Sequence, residues 1–161
     1  MKNLTPPFSD RPIGSKGTRL GNTEQIILRM FLQTKILKGR ALFNFLLTPT
    51  DIQHSQFADQ AGMKLWAKLK SKRIDCLLEN NLDIWILEVK DVVRPNAIGQ
   101  LLVYKAMYES QFKPVKPVKL GIIAGMDDLD VRRVAQMNDI NIFIVNFNPH
   151  DHRFDMLMRR R

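Results

Sequence analysis

Two apolar runs separated by a polar break mark residues 73–90: Arg73-Ile74-Asp75-Cys76-Leu77-Leu78, then Glu79-Asn80-Asn81-Leu82-Asp83, then Ile84-Trp85-Ile86-Leu87-Glu88-Val89-Lys90. Short apolar runs flanking Asn and Asp predict a β-hairpin. Alternate residues of a strand share a face, so Ile84, Ile86, Glu88 and Lys90 point one way and Trp85, Leu87 and Val89 the other. A four-residue loop at 80–83 pairs position 79 with 84 and sets Asp75 opposite Glu88. A carboxylate from each strand, with a lysine two residues further along the same face, then converges on one point. That arrangement suits a divalent metal held by oxygen ligands, with an ammonium group beside an attacking water. The same residues also describe a plain hairpin whose solvated face carries Glu88 and Lys90 as surface charges. Against the plain hairpin stands the place of Glu88, at the inner end of a strand apolar on both faces. A carboxylate buried without a partner is costly, and a cation is the natural compensation.

Arg94-Pro95-Asn96 should stop the second strand, and Asn96 is a good N-cap for a helix from Ala97 to about Ser110. Within that helix Gln100 and Tyr104 lie one turn apart on one face. Asp75, then Glu88-Val89-Lys90, then Gln100-Leu101-Leu102-Val103-Tyr104 stand in the order and with the spacing of a known family. In these residues the chain resembles the PD-(D/E)XK nuclease superfamily, in its RecB-like branch, whose members place a Q-x-x-x-Y helix after the E-x-K strand. Read without the resemblance, Gln100 and Tyr104 fit a helix whose tyrosine packs in the core and whose glutamine is solvated. Ile74 stands where the namesake proline would precede the aspartate.

The resemblance implies an α/β fold with a restriction-endonuclease-like core: a central mixed β-sheet flanked by helices, in αβββαβ order plus a C-terminal helix and strand. It implies that Asp75 and Glu88 bind Mg²⁺ or Mn²⁺ with the backbone carbonyl of Val89, and that Lys90 orients the attacking water. Gln100 would position substrate or nucleophile, and Tyr104 would contact the DNA backbone or brace Gln100. The family pattern also places an acid on an N-terminal helix. Asn22-Thr23-Glu24-Gln25 opens a stretch with helical apolar periodicity to about Lys38, with Ile27, Met30, Phe31 and Thr34 near one face. Glu24 is the candidate acid; its first-turn position equally suits an acid that complements the helix dipole.

Charge supplies a second constraint. Lys+Arg 25 against Asp+Glu 16 gives a formal +9, which points to a polyanionic partner, nucleic acid first. Lys64, Lys68, Lys70, Lys72 and Arg73 lead into the Asp75 strand, and an extended segment would put Lys68, Lys70 and Lys72 on one face. Such a row would track a phosphate backbone towards the metal site, or simply keep a strand edge soluble. A single cysteine leaves no internal disulfide, fits a reducing compartment and excludes the cysteine-ligated iron–sulfur cluster that some relatives carry. With neither a membrane-length apolar stretch nor the apolar core of a signal peptide, the expected location is cytoplasmic or nucleoid-associated.

The rest of the chain supplies scaffold. Residues 1–21 read as a basic flexible leader, 22–150 as one domain and 151–161 as a basic tail ending in Arg159-Arg160-Arg161. Ala41–Leu47 is a strand or a helix end, and 51–62 a short helix or a loop. Val118–Ala124 reads as a buried strand parallel to its predecessor, Asp127 or Asp128 as the cap of a helix to about Asn138, and Asn141–Phe147 as a final strand. Cys76 reads as buried and inert. His150-Asp151-His152 reads as a polar turn, and Gly14-Ser15-Lys16-Gly17 lacks the spacing of a phosphate loop.

The expected activity is metal-dependent DNA hydrolysis in end-processing, recombination or repair. The partner is DNA, with a homo-oligomer or a helicase or recombinase as a further candidate. The alternatives are a noncatalytic nucleic-acid-binding module on the same fold, a structural or interaction protein whose charge is incidental, and, within the nuclease class, a dimeric Holliday junction resolvase.

Overall fold

A computed structural model describes residues 20–49 and 60–146. Its elements are α1 (Asn22–Thr34), β1 (Arg40–Leu47), α2 (Gln60–Lys70), β2 (Lys72–Glu79), β3 (Ile84–Val92), α3 (Pro95–Phe112), β4 (Val118–Met126), α4 (Leu129–Met137) and β5 (Ile140–Ile144). The strands form one five-stranded sheet in the order β1-β2-β3-β4-β5. Pairing is antiparallel from β1 to β3 and parallel from β3 to β5, so the sheet is mixed and the protein is α/β. The expected element order is interrupted once, by α2 between β1 and β2. No helix of the described residues is long and apolar enough to cross a membrane.

Helices cover both faces of the sheet. On one face α1 sets Ile27, Leu28 and Phe31 against Cys76, Leu78, Trp85, Leu87 and Val89. On the other, α3 and α4 set Ala97, Leu101, Tyr104, Val131 and Ala135 against Ile84, Ile86, Leu120 and Ile122. The central strand β3 therefore has apolar neighbours on both sides, as its sequence demands, and each fully buried Leu or Ile contributes about 1.5–3 kcal/mol. Leu20 already packs against the α1 face, so the folded domain begins before residue 22. Residues 1–19, 50–59 and 147–161 lie outside the described residues. With them fall most of the leader and of the 51–62 segment, the tail, the Gly14–Gly17 and His150–His152 motifs and the end of the last expected strand.

Local chemistry explains the element ends. The N–H of Gly21 donates to Glu24 Oε2 at 2.9 Å, closing the first turn of α1. That helix stops at Thr34 rather than near Lys38, because Lys35 turns into the left-handed region at φ 56°. The Asn80 side chain accepts from the N–H groups of Leu82 and Asp83 at 2.8 and 2.7 Å, making the hairpin turn the sequence predicts. The expected N-cap of α3 at Asn96 is corrected: Arg94 is the cap and Pro95 the first helical residue. Proline has its φ preset for that position and needs no N–H there. Asp128 caps α4, accepting from the N–H groups of Asp130 and Val131 at 3.1 Å. The final strand spans Ile140–Ile144.

A second correction concerns the basic row. Residues 60–70 are helical, so Lys68 and Lys70 do not extend the line of Lys72 along a strand. Gln60–Lys70 carries helix formers without a β-branched residue, and that preference wins over the period-two spacing of its lysines.

One irregularity interrupts the sheet. Asn44, in the middle of β1, has φ 53°. The β1–β2 ladder pairs Phe43 with Cys76 and Phe45 with Ile74, and skips the rung between them, Asn44 opposite Asp75. In a regular ladder, rungs two apart share a face. Here Phe43 and Cys76 lie on the α1 face, whereas Phe45 and Ile74 lie on the α3 face, where the Phe45 ring meets Tyr108 and Phe112.

Candidate active site

The site is built on the far halves of β2 and β3. The hairpin register pairs Glu79 with Ile84 and Cys76 with Leu87, as the four-residue loop predicts, and leaves Asp75 and Glu88 one step beyond the last pair. Regular ladder pairs end at Cys76 and Leu87. Beyond them the N–H of Val89 donates at 2.9 Å to Asp75 Oδ2, a side-chain oxygen taking the place of a strand carbonyl.

Glu88 is the one buried charged residue among those described, at 2 % exposure. Its Oε1 accepts from Lys90 Nζ at 2.7 Å. Its Oε2 is buried without a partner among the described residues. The Asp75 carboxyl adjoins it, within reach of a hydrogen bond to Glu88 whenever Asp75 holds a proton. Two adjoining carboxyls with little water about them cannot both ionise cheaply.

The electrostatics follow. Burial, then the Glu88 charge, lifts Asp75 to about 8 against the opposing Val89 N–H and Lys90. Glu88 is also raised: burial outweighs the hydrogen bond and charge of Lys90. For Lys90 burial acts to lower the pKa, but the hydrogen bond and charge of Glu88, with the charges of Asp75 and Glu24, prevail and hold it above its ordinary value. Lys90 is thus a firmly protonated ammonium, with a side chain only 16 % exposed. Glu24, at the start of α1, is close enough for its charge to act on all three groups, while its Oε2 also closes the helix turn. Glu24 thus stands in the first turn of α1, as its helix-end reading has it, with its charge felt at the carboxyl pair.

On α3, Gln100 Nε2 donates to the Tyr104 hydroxyl at 3.3 Å. Tyr104 is a core residue, packed among Leu101, Tyr108 and Ile122. Its hydroxyl is thereby placed against the Gln100 amide. Gln100 Oε1 is buried without a partner among the described residues, so the amide still has an acceptor to offer. Lys70 and Lys72 are exposed, whereas the half-buried Arg73 sends its guanidinium to the Asn44 carbonyl at 3.3 Å, and nothing is described of the Lys68 side chain.

The group fits a hard divalent cation. Two carboxyls raised by burial, Asp75 further by the Glu88 charge, with one sealed oxygen that has no donor among the described residues, form an oxygen donor set suited to a positive charge. Among the described residues no three or more His, Cys, Asp or Glu side chains gather as a metal cage, so backbone oxygen and water would complete the shell. Sequence reading missed Asn44. Its signal was visible, a lone polar residue inside Ala41-Leu42-Phe43-Asn44-Phe45-Leu46-Leu47, and of a type that tolerates positive φ. The chain matches no protein-family model, and neither a curated protein nor a solved structure shows significant similarity to it.

Proposed function

We propose that this protein is a metal-dependent DNA nuclease with a restriction-endonuclease-like core. The observation that carries the reading is the Glu88 carboxylate, sealed in the central strand with one oxygen on Lys90, the other without a donor among the described residues, and the Asp75 carboxyl beside it. Support comes also from the element order around the mixed sheet, from the Gln100–Tyr104 pair on the helix after β3, and from a formal charge of +9.

Asp75, Glu88 and the Val89 carbonyl are the groups that would hold Mg²⁺ or Mn²⁺. The bound ion would lower the pKa of a water molecule and neutralise charge on the scissile phosphate. Val89 fixes one carboxyl through its N–H, so Asp75 is oriented before any ligand arrives. Lys90 stays protonated, orients the attacking water and stabilises the negative charge that develops at phosphorus. Tyr104 holds the Gln100 amide, whose Oε1, without a partner among the described residues, accepts from the water or the substrate. Exposed Lys64, Lys70 and Lys72 draw the phosphate backbone to the site without reading sequence. End-processing in recombination or repair, as a homo-oligomer or beside a helicase or recombinase, is the setting the Q-x-x-x-Y resemblance favours.

The test is cleavage of labelled linear, circular, single-stranded and four-way-junction DNA with Mg²⁺, Mn²⁺ or chelator, beside Lys90→Ala. Cutting that needs the metal and drops at least about a hundredfold in the variant is the expected result. The substrate preferred separates end-processing from junction resolution. DNA bound but never cut, with the variant binding as the parent does, would make the protein a binding module instead.

A further inference from the structure

Resting on the reading of the carboxyl pair as the reactive centre, we infer that Asn44 is its positioning residue: its left-handed backbone in β1 turns the β1–β2 ladder over at the rung of Asp75 and delivers the Asp75 carboxyl to Val89 and Glu88.

The geometry is local and directional. Asn44 lies on the one rung the ladder skips, opposite Asp75. On its two sides the paired residues exchange faces, Phe43 and Cys76 towards α1, Phe45 and Ile74 towards α3. In an unbroken antiparallel ladder hydrogen-bonded pairs recur every second residue. Asn80 bonds Asp83 across the turn, so the sequence of such pairs runs through 78–85 and 76–87 to 74–89. Continued regularly, the Val89 N–H would go to the carbonyl of Ile74. It goes to Asp75 Oδ2 instead, because the chain has turned over between Ile74 and Cys76.

Two features hold the turn. A φ of 53° is strained for most L-residues, β-branched ones above all, and Asn is among the few that adopt it readily. The guanidinium of Arg73, two residues before Asp75, ties to the Asn44 carbonyl at 3.3 Å and joins the two strands at the break. Asn44 reaches the reaction through Asp75 and is therefore not itself a catalytic residue.

The test compares Asn44→Gly, Asn44→Ala and Asn44→Val with the parent and with Asp75→Asn in the full chain. One readout is the Val89 amide resonance without metal; the other is Mn²⁺ affinity by calorimetry. Glycine adopts positive φ freely, so Asn44→Gly should keep both near the parent values. Asn44→Val should shift the Val89 amide as Asp75→Asn does, and weaken Mn²⁺ binding by about tenfold or more. Asn44→Ala should fall between, and it carries the comparison if the valine variant does not fold. A Val89 amide and a Mn²⁺ affinity unchanged in Asn44→Ala and Asn44→Val would overturn the assignment. If the parent neither binds Mn²⁺ nor cuts DNA, the nuclease reading fails, while the Val89 amide still decides what Asn44 does.

Discussion

Metal-free Glu88→Gln is expected to melt above the parent at pH 7 while losing at least about a hundredfold of the metal-dependent cleavage. The two effects have one cause. Glu88 brings a negative charge to the centre of the sheet, where burial disfavours it and one oxygen lacks a donor among the described residues. Glutamine keeps the shape, can still accept from Lys90, and offers an N–H to the Asp75 carboxyl. Removing a charge that burial disfavours, while keeping an acceptor for Lys90, should stabilise the metal-free fold by about 1–2 kcal/mol, or about 2–4 °C per kcal/mol for a chain of this size. Alanine at the same position should act in the opposite direction on stability. It leaves the Lys90 ammonium largely buried and without its partner at 2.7 Å, at a cost of about 1–3 kcal/mol. Melting both variants in chelator makes the comparison direct. Should Glu88→Gln melt below the parent, the carboxylate is not a site awaiting a cation.

The second large effect is a dependence of metal-free stability on pH. Folding lifts Asp75 to about 8, whereas an unfolded aspartate titrates at about 3.9. Between those values the folded protein holds a proton that the unfolded chain has released. The stabilisation is therefore complete below about pH 4 and is lost as pH rises towards about 8. A single group gives a slope of at most about 1.4 kcal/mol per pH unit. Divalent metal competes with the same proton, so its affinity should climb with pH over that interval, approaching tenfold per unit. Asp75→Asn removes the titrating group. From pH 5 to 8 in chelator the unfolding free energy of the parent should fall relative to that of the variant as pH rises, and parallel curves would show that Asp75 titrates normally.

The parts of this protein that are local in sequence were legible in it. The β2–β3 hairpin carries Asp75, Glu88 and Lys90 on one turn-linked pair of strands, and the loop length sets its register as far as Cys76 and Leu87. The parallel return of β4 after α3 follows from the handedness and length of the crossover. What escaped depends on partners distant in the chain. Asn44 acquires its importance from a rung shared with Asp75, across the whole of α2. The basic row read as strand-like because lysines two apart mimic an extended edge, while helix propensity over Gln60–Lys70 decides the backbone. Pro95 looked like a stop because proline ends strands, yet the same ring starts α3.

Cys76 adjoins Asp75 on the α1 face, fully buried, with burial and the neighbouring charge both raising its thiol pKa. It is the chain's single cysteine. A thiol in that position reacts with an aqueous reagent only when β2 parts from its neighbours, because the thiolate is the reactive form. The protein thus carries a built-in clock for the opening of its own centre: the labelling rate reads how often the strand bearing Asp75 comes loose, and a bound divalent ion should slow it in proportion to its occupancy.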